Sequence, residues 1–211
     1  MPPGSRCERG QQQARRPSTA PLFWGFLNSP LIFDCKPPGM NIADDDFTLF
    51  GLAPRFALDG TALDDCWRAL QAKVHPDRFA SDGAAAQRLA MQWAVRVNQG
   101  YQRLKDPLKR GAYLCELRGA PIEAENNTAM PVAFLMQQMA WREALDEADG
   151  AAAVARLDDT VAAHQATLLA ALGHTLDDLA DPAAAAQQVR ALMFVARFRD
   201  DIARRLDALD A

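Results

Sequence analysis

A His-Pro-Asp tripeptide, residues 75–77, lies between two amphipathic stretches and constrains the fold of this chain more than any other feature. Proline disfavours helical geometry in the residue before it, so the first stretch is predicted to end as a helix at Val74 or His75. A second helix is predicted from about Ala84 to Lys105. Because helices joined by a short turn run antiparallel, we expect an imidazole and a carboxylate at the exposed tip of a helical hairpin.

Both predicted helices carry an apolar stripe on one face. Side chains spaced three and four residues apart share a helical face. The two stripes consist of Leu63, Trp67, Leu70 and Val74 in the first helix and of Trp93, Val97, Tyr101 and Leu104 in the second. Three basic residues, Arg68, Lys73 and Arg78, add positive charge near the tip. The alternative is an ordinary helical hairpin whose turn contains the tripeptide by chance.

Helices are also predicted on both sides of the hairpin. A short one follows the acidic run 44–46 and ends near Gly51, Asp59 or Thr61 caps the first hairpin helix, and Asp106-Pro107 opens a fourth helix. Three further helices are predicted at about 131–148, 151–172 and 182–209, with Gly150, Gly173 and Pro182 between them. The predicted fold is all-α: a hairpin with two short helices, followed by a three-helix bundle.

Proline spacing and charge divide the chain into four predicted segments. Residues 1–39 contain many prolines and are predicted to be a disordered or spurious extension; a mitochondrial transit peptide is the alternative. Residues 40–119 form the first domain, 120–130 a linker, and 131–211 the second domain. The net charge is −4, and residues 119–211 carry 15 acidic against seven basic residues. This balance argues against a DNA-binding helix-turn-helix protein.

The helix that begins near Pro131 carries more apolar residues than one bundle face needs. Phe134, Trp141 and Leu145 cluster on one side and are predicted to face the core. The opposite side carries apolar and acidic residues, namely Leu135, Met136, Met139, Glu143, Asp146 and Glu147. An exposed apolar patch with a polar rim is typical of a partner surface. The alternative is a helix buried on all sides. In the last helix, Phe194 lies off the core stripe and is predicted to join this patch.

These motifs together resemble the HscB family, the J-domain co-chaperones of iron–sulfur cluster assembly. The J-domain resemblance rests on residues 75–80 (His-Pro-Asp-Arg-Phe-Ala), on residues 47–52 and on the Leu-Lys-Asp-Pro-Leu run at 104–108. The more specific resemblance is residues 133–139 (Ala-Phe-Leu-Met-Gln-Gln-Met), because this segment lies outside the J-domain. Nothing in residues 1–39 resembles the family.

The resemblance implies two protein partners and no catalysis. A specialised 70-kDa heat-shock chaperone of the HscA type would dock on His75, Pro76, Asp77, Arg68, Lys73 and Arg78, and its ATP hydrolysis would be stimulated. An IscU-type iron–sulfur scaffold protein would bind Leu135, Met136, Met139, Glu143, Glu147 and Phe194. Family members often carry an acidic residue where this chain has Ala140, so the resemblance implies one weaker polar contact and an intact apolar patch. A general J-domain co-chaperone for unfolded clients is the alternative function.

Other kinds of site find little support in the sequence. His75 and Asp77 could form an acid/base pair, but an exposed tip offers no substrate pocket, nucleophile or oxyanion donor, so no catalytic residue is predicted. The four cysteines stand far apart with no Cys-x-x-Cys pair, so we expect no metal site and no cofactor. We predict a bacterial cytoplasmic protein, with a mitochondrial location as the less favoured alternative, and we expect no nucleic-acid or membrane partner.

Overall fold

The structure, a computed structural model, describes residues 41–123 and 130–210. The predictions for the extension 1–39 and for most of the linker 120–130 lie outside the described residues. Within those two ranges the chain forms seven α-helices and no strand, which confirms the predicted all-α class. The helices are α1 (Asp46–Phe50), α2 (Gly60–Val74), α3 (Ala84–Lys105), α4 (Pro107–Leu117), α5 (Val132–Asp146), α6 (Ala151–Asp177) and α7 (Pro182–Asp210). No helix in the described ranges is long and apolar enough to cross a bilayer.

Aspartates cap three of the first four helices, as the sequence predicts. Asp45 accepts a hydrogen bond from the backbone N–H of Thr48 at 3.0 Å at the start of α1. Asp59, rather than Thr61, caps α2, and Asp106 caps α4 with Pro107 at its first position. A carboxylate at this position satisfies free amide groups and opposes the helix dipole. These helix starts are therefore determined by local chemistry.

Asp46, predicted as part of the capping run, is instead completely buried. Its carboxylate lies 2.6 Å from Arg96 and 3.1 Å from Arg103, both on α3. Its backbone N–H donates to the hydroxyl of Tyr113 on α4 at 2.9 Å. A buried carboxylate is tolerated when cations and hydrogen bonds compensate for lost hydration. Asp46 therefore fastens the short helix α1 to α3 and α4.

The hairpin forms as predicted between α2 and α3. Helix α2 ends at Val74, and Pro76–Phe79 form one turn of 3₁₀ helix before α3 begins. Trp67 stacks on Tyr101 with ring centroids 4.7 Å apart. Most stripe residues are fully buried, among them Leu63, Leu70, Val97 and Leu104. The facing apolar stripes therefore hold the His-Pro-Asp turn at the end of the hairpin.

The second group of helices, α5 to α7, is centred on Trp141. This residue is 5% exposed, stacks on Phe198 of α7 with ring centroids 5.9 Å apart, and meets the edge of His164 of α6 at 5.1 Å. Around it lie Val154, Val161, Val195 and Ile202, all buried. The three-helix bundle after the hairpin is thereby confirmed.

The end of α6 differs from the prediction. Gly173, predicted to separate two helices, lies inside α6, which continues to Asp177. A Cβ atom at this glycine would lie 3.0 Å from Cδ1 of Phe56, in the segment before α2. The glycine therefore permits close packing rather than breaking the helix.

This contact belongs to a core that spans both groups of helices. Leu172, Leu176, Val189 and Leu192 of α6 and α7 pack in the same buried cluster as the apolar residues of α1 to α4. Polar contacts reinforce it, because Arg118 donates to the backbone oxygen of Leu176 and Arg190 to that of Ile122 at 2.9 Å. The C-terminal end of α6 and the first half of α7 are therefore packed directly on α1 to α4, which we call the hairpin group.

Candidate functional site

The His-Pro-Asp turn presents its two polar side chains to solvent. The Asp77 side chain is 89% exposed and that of His75 56% exposed. The backbone N–H of Asp77 donates to Nδ1 of His75 at 3.3 Å, so the imidazole caps the 3₁₀ turn. With Nδ1 accepting, the neutral ring carries its proton on Nε2. The turn thus offers a carboxylate acceptor and an imidazole donor side by side.

Basic side chains surround this turn unevenly. Arg78 donates to the backbone oxygen of Ala72 at 2.9 Å, which ties the turn to the last residues of α2. Lys73 is exposed in the last turn of α2. Arg68 is also exposed, but it pairs with Asp65 at 2.7 Å and lies about 9 Å along the helix axis from Val74, the last residue of α2. The cations closest to the tripeptide are therefore Lys73 and Arg78.

An apolar groove beside the turn was not predicted. It lies between the end of α2 and the start of α3, has a volume of about 310 Å³, and is lined mainly by Val74, Phe79, Leu89 and Trp93. Leu89 is 53% exposed. The sequence does contain a signal for this groove: Leu89 lies four residues before Trp93 and extends the apolar stripe of α3 by one turn, toward the end of α2. The turn therefore combines polar groups with an adjacent apolar surface.

Helix α5 is oriented as its periodicity predicts. Trp141 is buried, and Phe134 and Leu145 are partly buried against the same core. Leu135, Met136 and Met139 are 45%, 65% and 62% exposed, and Glu143 and Glu147 are exposed beside them. The alternative of a helix buried on all sides is thus wrong. We call Leu135, Met136 and Met139, with Phe194, the α5 patch.

Phe194 lies at the border of this patch rather than on its outer surface. It is half-buried where α7 meets α5 and lines a small pocket with Gln138 and Arg142 of α5 and Arg197 of α7. Its neighbour Met193 is 42% exposed. Neither arginine was predicted as a site residue, because their position depends on how α7 packs on α5.

The predicted site residues therefore form two separate surfaces. His75, Pro76, Asp77, Lys73 and Arg78 lie together at the hairpin tip, with Arg68 set back along α2. The second surface is the α5 patch with Glu143 and Glu147. Ala140 is exposed on the same helix.

Comparisons with known proteins agree with this architecture. Residues 130–203 match the family model described as the HSCB C-terminal oligomerisation domain. A Bordetella petrii protein named a co-chaperone protein HscB homolog is 50% identical over 162 residues, which cover 76% of this chain and 95% of the relative. A Burkholderia mallei protein of the same name is 50% identical over 174 residues, covering 81% and 99%.

Solved structures of similar fold carry related names. The chaperone HscB from Vibrio cholerae has a TM-score of 0.68 and 39% sequence identity, over 79% of this chain and 99% of that one. Human co-chaperone protein HscB has a TM-score of 0.74 and 25% identity, over 79% and 84%. Since the sequence relatives are aligned over nearly their whole length at half identity, this chain belongs to the HscB family of co-chaperones.

Proposed function

We propose that this chain stimulates the ATPase of an HscA-type 70-kDa heat-shock chaperone and delivers an IscU-type iron–sulfur scaffold protein to it. The hairpin tip would contact the chaperone, and the α5 patch would contact the scaffold. The proposal further places the protein in the bacterial cytoplasm, in the maturation of iron–sulfur proteins.

The composition of the tip supports chaperone docking. Asp77 is almost fully exposed, and its carboxylate lies 3.6 Å from Nδ1 of His75. Its carboxylate is therefore available for a charge-assisted hydrogen bond to a cation of the partner. Lys73 and Arg78 would accelerate encounter with an acidic chaperone surface, and the groove at Leu89 would add apolar contact.

Stimulation of ATP hydrolysis requires no chemical step on this chain. A bound protein shifts a conformational equilibrium only if it contacts one state more favourably than the other. The turn would make its contacts to the hydrolysis-competent state of the chaperone. Because the tripeptide lies at an exposed tip with no enclosed substrate site around it, we assign His75 and Asp77 to binding rather than to acid/base catalysis.

The α5 patch supports recognition of a folded partner. Its centre is apolar and includes two methionines, whose flexible side chains adapt to a facing surface. Glu143 and Glu147 form an acidic border, which favours a partner with basic residues around an apolar contact. One observation carries the proposal: the same chain exposes Asp77 at the hairpin tip and an apolar patch on the side of α5 opposite Trp141.

An ATPase assay with purified chaperone and scaffold tests both surfaces. Asp77→Asn should abolish stimulation with and without scaffold. The variant L135A/M136A/F194A should keep the stimulation by this chain alone and lose the additional stimulation that scaffold provides, since apolar anchors dominate such interfaces. Undiminished stimulation by Asp77→Asn would contradict the assigned role of the tip.

Two other uses of the α5 patch are distinguished by binding measurements. The matching family model is described as an oligomerisation domain, so contact of the exposed apolar residues on α5 with a second copy is the first alternative. A mass determined by light scattering that falls from dimer to monomer in L135A/M136A/F194A would favour self-association. Tight binding of an unfolded model client, without binding of the scaffold, would favour a general co-chaperone.

A further inference from the structure

The seam between α5 and α7 contains a small notch beside the α5 patch, with an apolar floor and charged side chains at its edge. Gln138 and Arg142 of α5 and Phe194 and Arg197 of α7 line it, and the buried ring of Phe198 lies behind them. Its volume is about 20 Å³, which accommodates a single group of the size of a water molecule. A carboxylate oxygen has this size.

The two arginines of the notch are uncommitted, unlike Arg199 and Arg204 of α7. Neither Arg142 nor Arg197 takes part in a hydrogen bond or ion pair within the described part of the chain, and both are exposed. By contrast, Arg199 forms two hydrogen bonds of 2.9 Å with Asp158. Asp201, which also lines the notch, is paired with Arg204.

The notch gives the α5 patch a second charged border, of opposite sign to the first. Arg142 and Glu147 are five residues apart and therefore point about 140° away from each other around the axis of α5. Leu135, Met136 and Met139 project between these two directions, and Glu143 and Asp146 project into the same sector one and two turns after Met139. A surface with an apolar centre, an acidic side and a basic side admits a charge-complementary partner in one orientation.

We propose that the notch between Arg142 and Arg197 binds a carboxylate side chain of the scaffold protein. This inference rests on the proposed function and names a recognition contact within it. Each guanidinium group presents planar N–H donors that suit a carboxylate, and the Gln138 amide supplies further donors. Phe194 would border that carboxylate on one side and the apolar contact on the other, which explains its position at the seam.

Binding of purified scaffold protein by calorimetry tests the proposal. R142Q/R197Q should weaken binding by about 10-fold or more, because the partner carboxylate would then be buried with no cation to compensate it. The matched control is R156Q/R205Q, which removes the same charge from two exposed arginines of α6 and α7 and should change the dissociation constant by about 2-fold at most. A similar loss in both variants would overturn the proposal, since it would reflect overall charge.

A variant that keeps the charge separates geometry from electrostatics. R142K/R197K retains two cations but loses the planar fork, so binding should fall between wild type and R142Q/R197Q. The melting temperature and the chaperone stimulation without scaffold should remain unchanged in all three double variants. If R142Q/R197Q is unfolded, the lysine variant provides the test, and unchanged binding by it would refute bidentate recognition.

A double-mutant cycle identifies the partner group. Each exposed aspartate and glutamate of the scaffold is replaced in turn by asparagine or glutamine. One replacement should weaken binding to the wild-type chain and have no further effect on R142Q/R197Q, because the interacting pair is already broken. Additivity at every carboxylate would overturn the inference.

The two variants also separate this inference from the proposed function. If L135A/M136A/F194A binds less tightly while R142Q/R197Q binds normally, the inference fails and the proposed function stands. If neither variant loses affinity, the α5 patch is not the scaffold site.

Discussion

Asp177, the last residue of α6, should contribute more to stability than its position at a helix end suggests. Its side chain is 6% exposed, and its two carboxylate oxygens accept hydrogen bonds from the backbone N–H groups of Phe56 and Ala57, each at 2.8 Å. These amides precede α2, so the carboxylate joins the end of α6 to the hairpin group. Replacement by alanine removes both acceptors at once.

The expected loss follows from the surroundings of the two amides. A hydrogen bond to a charged group contributes about 1.5–3 kcal/mol, and a buried donor left without an acceptor costs a similar amount. Phe56 is buried, whereas Ala57 is exposed and its amide regains a bond to water. The ion pair with Arg55, whose side chain is exposed and lies 4.0 Å away, adds at most about 1 kcal/mol. Asp177→Ala should therefore lower the free energy of unfolding by about 3–4 kcal/mol.

Thermal unfolding and amide hydrogen exchange measure this effect. A loss of 3–4 kcal/mol corresponds to a fall in melting temperature of about 10 °C for a protein of this size. Asp177→Asn should lose about half as much, because its amide oxygen can accept from one of the two N–H groups. Faster exchange should be concentrated at the amide of Phe56.

Asp178 provides the matched control for this experiment. It is the next residue, and its side chain is exposed and paired with exposed His174 at 2.8 Å. Asp178→Ala should cost less than about 1 kcal/mol. Equal losses for Asp177→Ala and Asp178→Ala, or unchanged exchange at Phe56, would show that the two hydrogen bonds do not hold α6 to the hairpin group.

Three further predictions concern single residues. Trp141→Ala should lower the free energy of unfolding by about 3–5 kcal/mol, measured by chemical denaturation, because the substitution leaves a cavity at the centre of the core formed by α5 to α7. A loss below about 1 kcal/mol would contradict that packing. Asp77→Asn should leave the melting temperature unchanged, since its side chain is exposed, and a fall of several degrees would show a structural role. Burial raises the pKa of the Cys115 thiol to about 11, so the thiol stays protonated at pH 8. Cys115 should therefore resist alkylation until the protein unfolds, as measured by mass spectrometry of the modified peptides. Rapid modification of the folded protein would contradict its burial.

Local patterns in the sequence were sufficient for much of the fold and of the candidate site. Asp59 and Asp106 cap helices through bonds to amides within a few residues, and Pro76 ends α2 through a clash with its immediate neighbour. The side of α5 that faces solvent follows from its 3.6-residue period. The hairpin tip and the apolar part of the α5 patch were predictable because each depends on interactions along a single helix or turn.

Only the tertiary structure decided the features in which distant segments meet. Asp46 belongs to an acidic run in the sequence, but its burial depends on two arginines about 50 residues away. Glycine is typical of a helix end, but Gly173 lies inside α6. The ring of Phe56 beside it explains why this position is a glycine. Arg142 and Arg197 belong to different helices and line one notch only because α7 packs on α5. Helix propensity and periodicity act over a few neighbouring residues, so they determine the helices and their faces, while the contacts between those faces depend on how the whole chain packs.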